Sequence, residues 1–426
     1  MPSSKILALL GPYVDNTGKL VKDLPSEVVR ALVKEYVFET DTALKQQAKN
    51  TIWDLCLQKN IFPSSINDIY MKRAHNQLPH TFTVPAFNIR GITFDIAKEI
   101  FAVAKETDTS YFIFELSRSE MGYTGQDCEE YATCVLGAAL AANYVGPVYL
   151  QGDHFQTKPI AEGVIEDGEV EKLKLLIDKA LQNGFYNIDI DASTLVNLSA
   201  PTLEEQQREN IKYTLELAKY IRENQPDGIE VSIGGEIGHI GGKNSTLKEL
   251  DTFLTGFYAQ WDKGIPGLSK VSIQSGTSHG GTVLATGKVH PAEVDFGLLE
   301  NAGDFVRSKF KVGGVVQHGA STQPHDFFSQ LPQHKVLEVH LATGLQNAVF
   351  DSQNFPPALK KEMYAWIKLE KKSECKEDWN EDQFMYKLRK KCWGTFKKEL
   401  WDASLDLGDL NSLLLGYFSA LKIIEK

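Results

Sequence analysis

Between about residues 81 and 350 the chain repeats one pattern: a short apolar segment rich in Val, Ile, Phe or Tyr, then a longer amphipathic one. Eight apolar segments follow in order: TFTVPAF, YFIFEL, PVYLQG, YNIDID, IEVSIG, KVSIQS, GVVQHG and VLEVHL. Most of the stretches between them read as helices. Residues 170–183 (VEKLKLLIDKALQN) stop before Gly184, where a C-capping glycine would stand. Residues 203–223 carry acid early and apolar residues at helical spacing. Strands that alternate with helices pair in parallel, so eight units predict a closed (β/α)8 barrel of the TIM class, an α/β fold. The final unit leaves only about 20 residues between strand starts, which predicts a short helix. An open doubly wound sheet is the alternative, but no Gly-rich dinucleotide fingerprint follows the first strand.

The flanks differ in character. Residues 1–80 read as a largely helical N-terminal extension, 81–350 as the barrel, and 351–426 as a C-terminal extension of mixed-charge helices with several tryptophans. Neither flank carries a motif, and both are expected to pack outside the barrel or to mediate subunit contact. A formal charge of −11 with no long basic run argues against nucleic acid or an anionic membrane as partner. The five cysteines form no CxxC pair, so neither a disulfide framework nor a thiolate zinc site is indicated. The N-terminal stretch lacks the apolar length of a signal peptide, and no run approaches the roughly 20 apolar residues of a membrane span. A cytoplasmic homo-oligomeric enzyme acting on a small molecule is the expectation.

In such a barrel the catalytic groups stand at the C-terminal ends of the strands. Reading those ends in order gives Asn88, Ser117, Asp153 with His154, Asp191, Glu236, His279, His318, and His340 with Thr343. Asp153 and His154, in VYLQGDHFQ, can be read as a helix cap beside an exposed imidazole, or as an acid/base beside a metal ligand. Four of the chain's ten histidines fall at or just past strand ends. Three of them, His154, His279 and His318, face one mouth, which points to a divalent metal with an open position, zinc by ligand type. Glu236 is a further ligand, a group that orients one, or a salt-bridged barrel carboxylate. Gly280, Gly281 and Gly319, with Ser321, let backbone N–H groups approach an anion, or simply make tight turns. The glycine-rich GGEIGHIGGKNST resembles a loop that closes over substrate.

The segments VPAFN, GDH, IDAS, EIGHIGG, GTSHGG, QHGAS and ATGLQ, in that order, resemble the class II ketose-bisphosphate aldolases, from Val84 to about Phe350. The resemblance implies metal-dependent cleavage of fructose or tagatose bisphosphate. It implies that Asp153 exchanges a proton with the C4 hydroxyl and that His154, His279 and His318 hold the metal. Asp191 and Glu236 would line a neighbouring buried metal position, and Gly280, Gly319 and Ser321 would bind the first phosphate. Asn88, His340 and Thr343 are the remaining expected substrate contacts.

The chain departs from the family at several places. His340 stands where the family has asparagine in its last strand, and Ala342 and Gly344 replace two aspartates that handle substrate. Lys243 and Asn244 follow HIGG where acids are usual, and the expected lysine after HGG is displaced, with Lys288 nearest. HGAST replaces the usual Gly-Gly-Ser by Gly-Ala-Ser. The metal centre is thus matched more fully than the bisphosphate pocket, for whose second anion Arg118, Lys243 and Lys288 are candidates by loop position. Two other functions stay open. One is an epimerase, or an aldolase for a non-bisphosphate or acidic sugar, on the same metal scaffold. The other is a non-catalytic aldolase subunit, to which RSEMGYTG bears some likeness.

Overall fold

The computed structural model describes residues 4–238, 243–277, 282–284, 289–290 and 292–422. Eight parallel strands close into a barrel: β1 (Val84–Asn88), β2 (Ile113–Ser117), β3 (Gly146–Gln156), β4 (Asn187–Asp191), β5 (Ser232–Glu236), β6 (Lys270–Ser272), β7 (Val315–Gln317) and β8 (Glu338–Leu341). Each pairs with the next, and β8 returns to β1 through His340 opposite Ala86, so no edge is left open. The helix between β7 and β8, His325–Gln333, is short, as the spacing predicts.

Strand periodicity divides the barrel into an outer apolar face and a layered interior. Phe87, Phe114, Leu116 and Val339 belong to the large core beneath the surrounding helices. Inside, the N-terminal end is plugged by Ile66, Tyr70, Phe82, Val84, Ala86, Ile113, Tyr149 and Leu337. Above that plug the interior becomes polar. Lys270 Nζ lies 2.6 Å from Gln151 Oε1, 2.6 Å from Glu338 Oε1 and 2.9 Å from Asp189 Oδ1. Tyr70 donates to Glu338 from below. Gly234 makes room for this network, since a Cβ there would sit 2.2 Å from Asp189 Oδ1.

The N-terminal helices Ser26–Phe38 and Thr42–Gln58 pack on the helix Cys128–Ala141, where a Cβ on Gly137 would meet Val33 at 2.5 Å. The short strand Ile61–Ser64, which the helical reading of this region does not contain, pairs in parallel with the start of β3. At the other end of the chain, the helix Gly408–Leu421 lays Phe418 edge-on against Phe87, 5.6 Å between ring centres. No helix among the described residues is long and apolar enough to cross a membrane.

Candidate active site

The sequence Gly152-Asp153-His154-Phe155 sets the centre of the site. On a regular strand two consecutive side chains would point to opposite faces. Here the β3–β4 register shifts between Gly152 and Phe155, and His154 takes a left-handed φ of 42°. Such a bulge re-aims side chains, and a non-glycine residue held at positive φ is a feature typical of functional sites. Gly152 permits it, because a Cβ there would meet the Phe155 ring at 2.4 Å. As a result Asp153 and His154 both line one cavity of 280 Å³ at the C-terminal end of the barrel.

Both described histidines of the expected metal set are anchored through one ring nitrogen. His154 Nδ1 lies 3.0 Å from Asp191 Oδ2 and 3.0 Å from Glu236 Oε2. His318 Nε2 lies 3.0 Å from Ser272 Oγ. The opposite nitrogens, His154 Nε2 and His318 Nδ1, face each other at 3.1 Å. Outer hydrogen bonds of this kind fix a ring's orientation for metal binding. Asp153, His154 and His318 offer ligand atoms that all lie within 4.8 Å of one another, and so do His154, Asp191 and Glu236. Asp153 Oδ1 is buried between two imidazoles, 3.6 Å from His154 Nε2 and 3.2 Å from His340 Nδ1.

The electrostatics favour a cation at this point. Burial disfavours the charged imidazole of His154, but Asp153, Glu236 and Asp191 outweigh it and hold its pKa well above the ordinary histidine value. Glu236 is pushed up to about 7 by burial and by Asp191. Burial also opposes ionisation of Asp153, yet His154 and His340 hold it below the usual carboxylate range. A metal ion at His154 Nε2 would lie beside Asp153, while Asp191 and Glu236 would hold the ring from its far nitrogen and balance the charge. The donor set and the charge therefore fit a divalent metal.

A second group adjoins the first. His340 Nδ1 lies 3.2 Å from both Glu115 Oε2 and Asp153 Oδ1, and its Nε2 lies 2.7 Å from Glu338 Oε1. Burial pushes the Glu115 carboxyl up to about 8 despite His340 beside it. Asn88 Nδ2 donates to Glu120 Oε2 at 2.6 Å, and Arg90 Nε donates to Glu120 Oε1 at 2.8 Å. Thr343 lines the cavity and accepts from Arg90 at 3.4 Å. Gly319, at φ 67°, and Ser321 form a turn on the same wall, where Ser321 Oγ accepts from the Gly344 N–H at 3.0 Å.

Other expected residues lie elsewhere. His279, Gly280, Gly281 and Lys288 fall outside the described residues, as does part of the glycine-rich loop. Lys243 pairs with Glu249 at 2.9 Å and lines a separate cleft with Ser193 and Ile237. Arg118 lines the main cavity but is bound to Glu169 and to the Gln156 carbonyl. Reading only the strand ends misses Glu115 and Glu338, although each stands two residues before a named position, Ser117 and His340. Arg90, Glu120 and Lys390 also line the cavity without any sequence signal pointing to them.

A family model for class-II fructose-bisphosphate aldolase matches residues 70–392. No curated protein sequence matches the chain. Among solved structures, a glycerol complex of the fructuronate-tagaturonate epimerase UxaE from Cohnella laeviribosi gives a TM-score of 0.59 at 11% identity, over 89% of this chain and 86% of that one. A structure described as a probable tagatose 6 phosphate kinase from Sinorhizobium meliloti 1021 gives 0.58 at 14% identity, over 79% and 100%. The fructose-bisphosphate aldolase of Campylobacter jejuni is 18% identical over 85% of this chain and 97% of its own, with a TM-score of 0.48. At such identities these likenesses concern the fold. The family match starts at Tyr70 beneath the barrel floor, ends at Cys392 after the last barrel strand, and takes in every described residue of the cavity. On that match the chain belongs to the class II fructose-bisphosphate aldolase family.

Proposed function

We propose that the chain is a metal-dependent carbon–carbon lyase acting on a phosphorylated ketose of the fructose- or tagatose-1,6-bisphosphate class. The observation that carries this reading is the facing pair of His154 and His318, each anchored through its far nitrogen, with Asp153 beside them. With His279, these two would hold one divalent ion, zinc by ligand chemistry. Bound there, the ion would act as a Lewis acid toward the substrate oxygens. Glu236 and Asp191 fix the His154 ring and balance the positive charge. Asp153, kept ionised, takes up the hydroxyl proton as the carbon–carbon bond breaks.

Gly319 and Ser321, with Gly280, bind a phosphate. Because Ser321 Oγ accepts from the Gly344 N–H, its own proton is left to donate to an anion. Asn88, Thr343 and His340 contact the sugar from the β1 and β8 side of the mouth. We further propose a cytoplasmic homo-oligomer.

A second reading is favoured by one observation. His340 and Glu115 form a titratable pair on the far side of Asp153, while Ala342 and Gly344 stand where the family has aspartates. Two acid/base groups about one carbon suit an epimerase, or an aldolase for a non-bisphosphate sugar. Metal analysis of the purified chain, followed by assay of triose release from fructose and tagatose 1,6-bisphosphates, separates the readings. Bound metal with triose release supports the lyase. Bound metal without it moves the assignment to the second reading, and absence of both overturns the metal enzyme.

A further inference from the structure

We infer that Glu115, Asp153 and His340 form a second divalent-cation site, beside the His154–His318 group and distinct from the Asp191–Glu236 position. It goes beyond the proposed metal centre and stands on its own residues. His340 is held in the same manner as the other two imidazoles. Its Nε2 lies 2.7 Å from Glu338 Oε1. That oxygen is fixed in turn by Lys270 Nζ at 2.6 Å and by Gln151 Nε2 at 3.0 Å. A carboxylate on the far nitrogen of a histidine orients the ring and leaves the other nitrogen for a metal. That other nitrogen, Nδ1, lies 3.2 Å from both Glu115 Oε2 and Asp153 Oδ1.

Those distances match the spacing of ligands about one ion. Bonds of about 2.1 Å put neighbouring donors roughly 3.0 Å apart in an octahedron and about 3.4 Å apart in a tetrahedron. Donor atoms of the three residues all lie within 4.8 Å of one another. Gln151 Nε2 donates to Glu115 Oε2 at 2.9 Å and aligns that carboxylate. The other oxygen, Glu115 Oε1, is buried with no hydrogen-bond partner among the described residues, which leaves it as a further donor atom. All three residues line the open cavity. Coordination positions not filled by the protein therefore face water or substrate, as in catalytic rather than closed metal sites.

The surrounding charge suits a cation. Carboxylate oxygens of Glu115, Asp153, Asp189 and Glu338 all lie within 3.8 Å of a His340 ring nitrogen. Lys270 is shared between Asp189 and Glu338, while Glu115 turns to His340. An ion at Nδ1 takes the place of a proton, which leaves to solvent. Asp153 Oδ1 also stands 3.6 Å from His154 Nε2, so one carboxylate oxygen lies between the two groups, an arrangement suited to a pair of metals. One imidazole with two carboxylates suits Mn2+ or Zn2+. With the ion bound, His340 and Glu115 serve as ligands and not as an acid/base pair.

The test strips the full chain with a chelator and reloads it separately with Zn2+ and with Mn2+. Bound metal is measured after desalting, and unfolding midpoints are checked for every variant. Wild type should retain a second equivalent that Glu115→Gln and His340→Asn both lose and His154→Ala keeps. In the Mn2+ form, electron paramagnetic resonance should show coupled ions in wild type and an isolated ion in Glu115→Gln. Glu338→Gln, outside the ligand set, should weaken binding of the second equivalent by about 10–100-fold. A single equivalent that is lost in His154→Ala and kept in Glu115→Gln overturns this site and spares the proposed lyase centre. The reverse pattern overturns the lyase centre alone, and no bound metal overturns both. A second equivalent that survives in Glu115→Gln and in His340→Asn also overturns the inference.

Discussion

Asp153 and His154 are consecutive in the chain, yet both reach the same cavity, with Asp153 Oδ1 3.6 Å from His154 Nε2. The bulge that allows this depends on Gly152, over which the Phe155 ring folds. Gly152→Ala should therefore cost about 1–3 kcal/mol through overpacking. It should also lower metal affinity, because the shift is transmitted to His154 two residues on. Urea unfolding and metal titration measure both. A variant as stable as wild type with unchanged metal affinity would show that the bulge is not held by this contact.

The anchored imidazoles give a second expectation. His154→Ala and His318→Ala should each lose most bound metal, and His279→Ala should do the same. Asp191→Asn, at a side chain that meets His154 through the ring's far nitrogen, should weaken metal binding by about 10–100-fold. Elemental analysis of the dialysed variants decides it, and full occupancy in the histidine variants would remove the metal assignment.

Asp153→Asn retains a side chain of the same shape beside the ligands but cannot carry the proton. It should keep fold and metal and lose about 10²–10⁴-fold in turnover. Turnover within a few-fold of wild type would move the acid/base role to another group, with His340 and Glu115 the nearest alternatives.

Acid stability reports on the barrel interior. Burial opposes ionisation of Glu338, but Lys270 and His340 outweigh it and bring its pKa down to about 2 from an ordinary 4.5. A carboxyl depressed in the folded state contributes stability that is complete above the unfolded value and is lost as pH falls through the folded one. Asp189, on the same lysine, moves the other way, up to about 6, because burial dominates there. Glu338 decides the acid side, since Lys270 and His340 both lie within 2.7 Å of its Oε1. Glu338→Gln should thus be less stable than wild type at pH 5–6, with the gap narrowing from about pH 4.5 toward 2. A gap independent of pH across that range would mean that Glu338 acts through packing alone.

Much of this was legible in the sequence for a physical reason. Parallel strands buried on both faces leave continuous apolar runs, so all eight barrel strands stand out, and the crowded last unit does yield a short helix. The polar groups at strand ends were visible because each interrupts such a run. Three things were not visible. The strand Ile61–Ser64 is four residues long and contains Pro63, so it has neither alternation nor length. Strand β3 continues through Gly152, where a period of two predicts an end, because its bulge is a tertiary arrangement with β4 and Phe155. Lys390 sits in a helical flank without a motif, and only the packing of Arg389 and Trp393 brings it to the cavity.

The departure at Gly344 can be judged from the space around it. A Cβ there would come 2.4 Å from the Ser321 carbonyl and 2.7 Å from the Tyr417 hydroxyl. Tyr417 belongs to the C-terminal helix Gly408–Leu421, and Ser321 belongs to the turn that faces the cavity. The aspartate usual in the family therefore has no room here, because the backbone of the turn occupies its place. Gly344→Asp should destabilise the chain by at least about 1–3 kcal/mol and disturb the turn. Tyr417→Phe should rescue it only slightly, since the closer clash is with backbone. Ala342→Asp serves as the contrast: Ala342 borders the open cavity, so a carboxylate there should leave the unfolding midpoint nearly unchanged. Equal stability of Gly344→Asp and wild type would mean that the missing aspartate is a matter of substrate choice rather than of space.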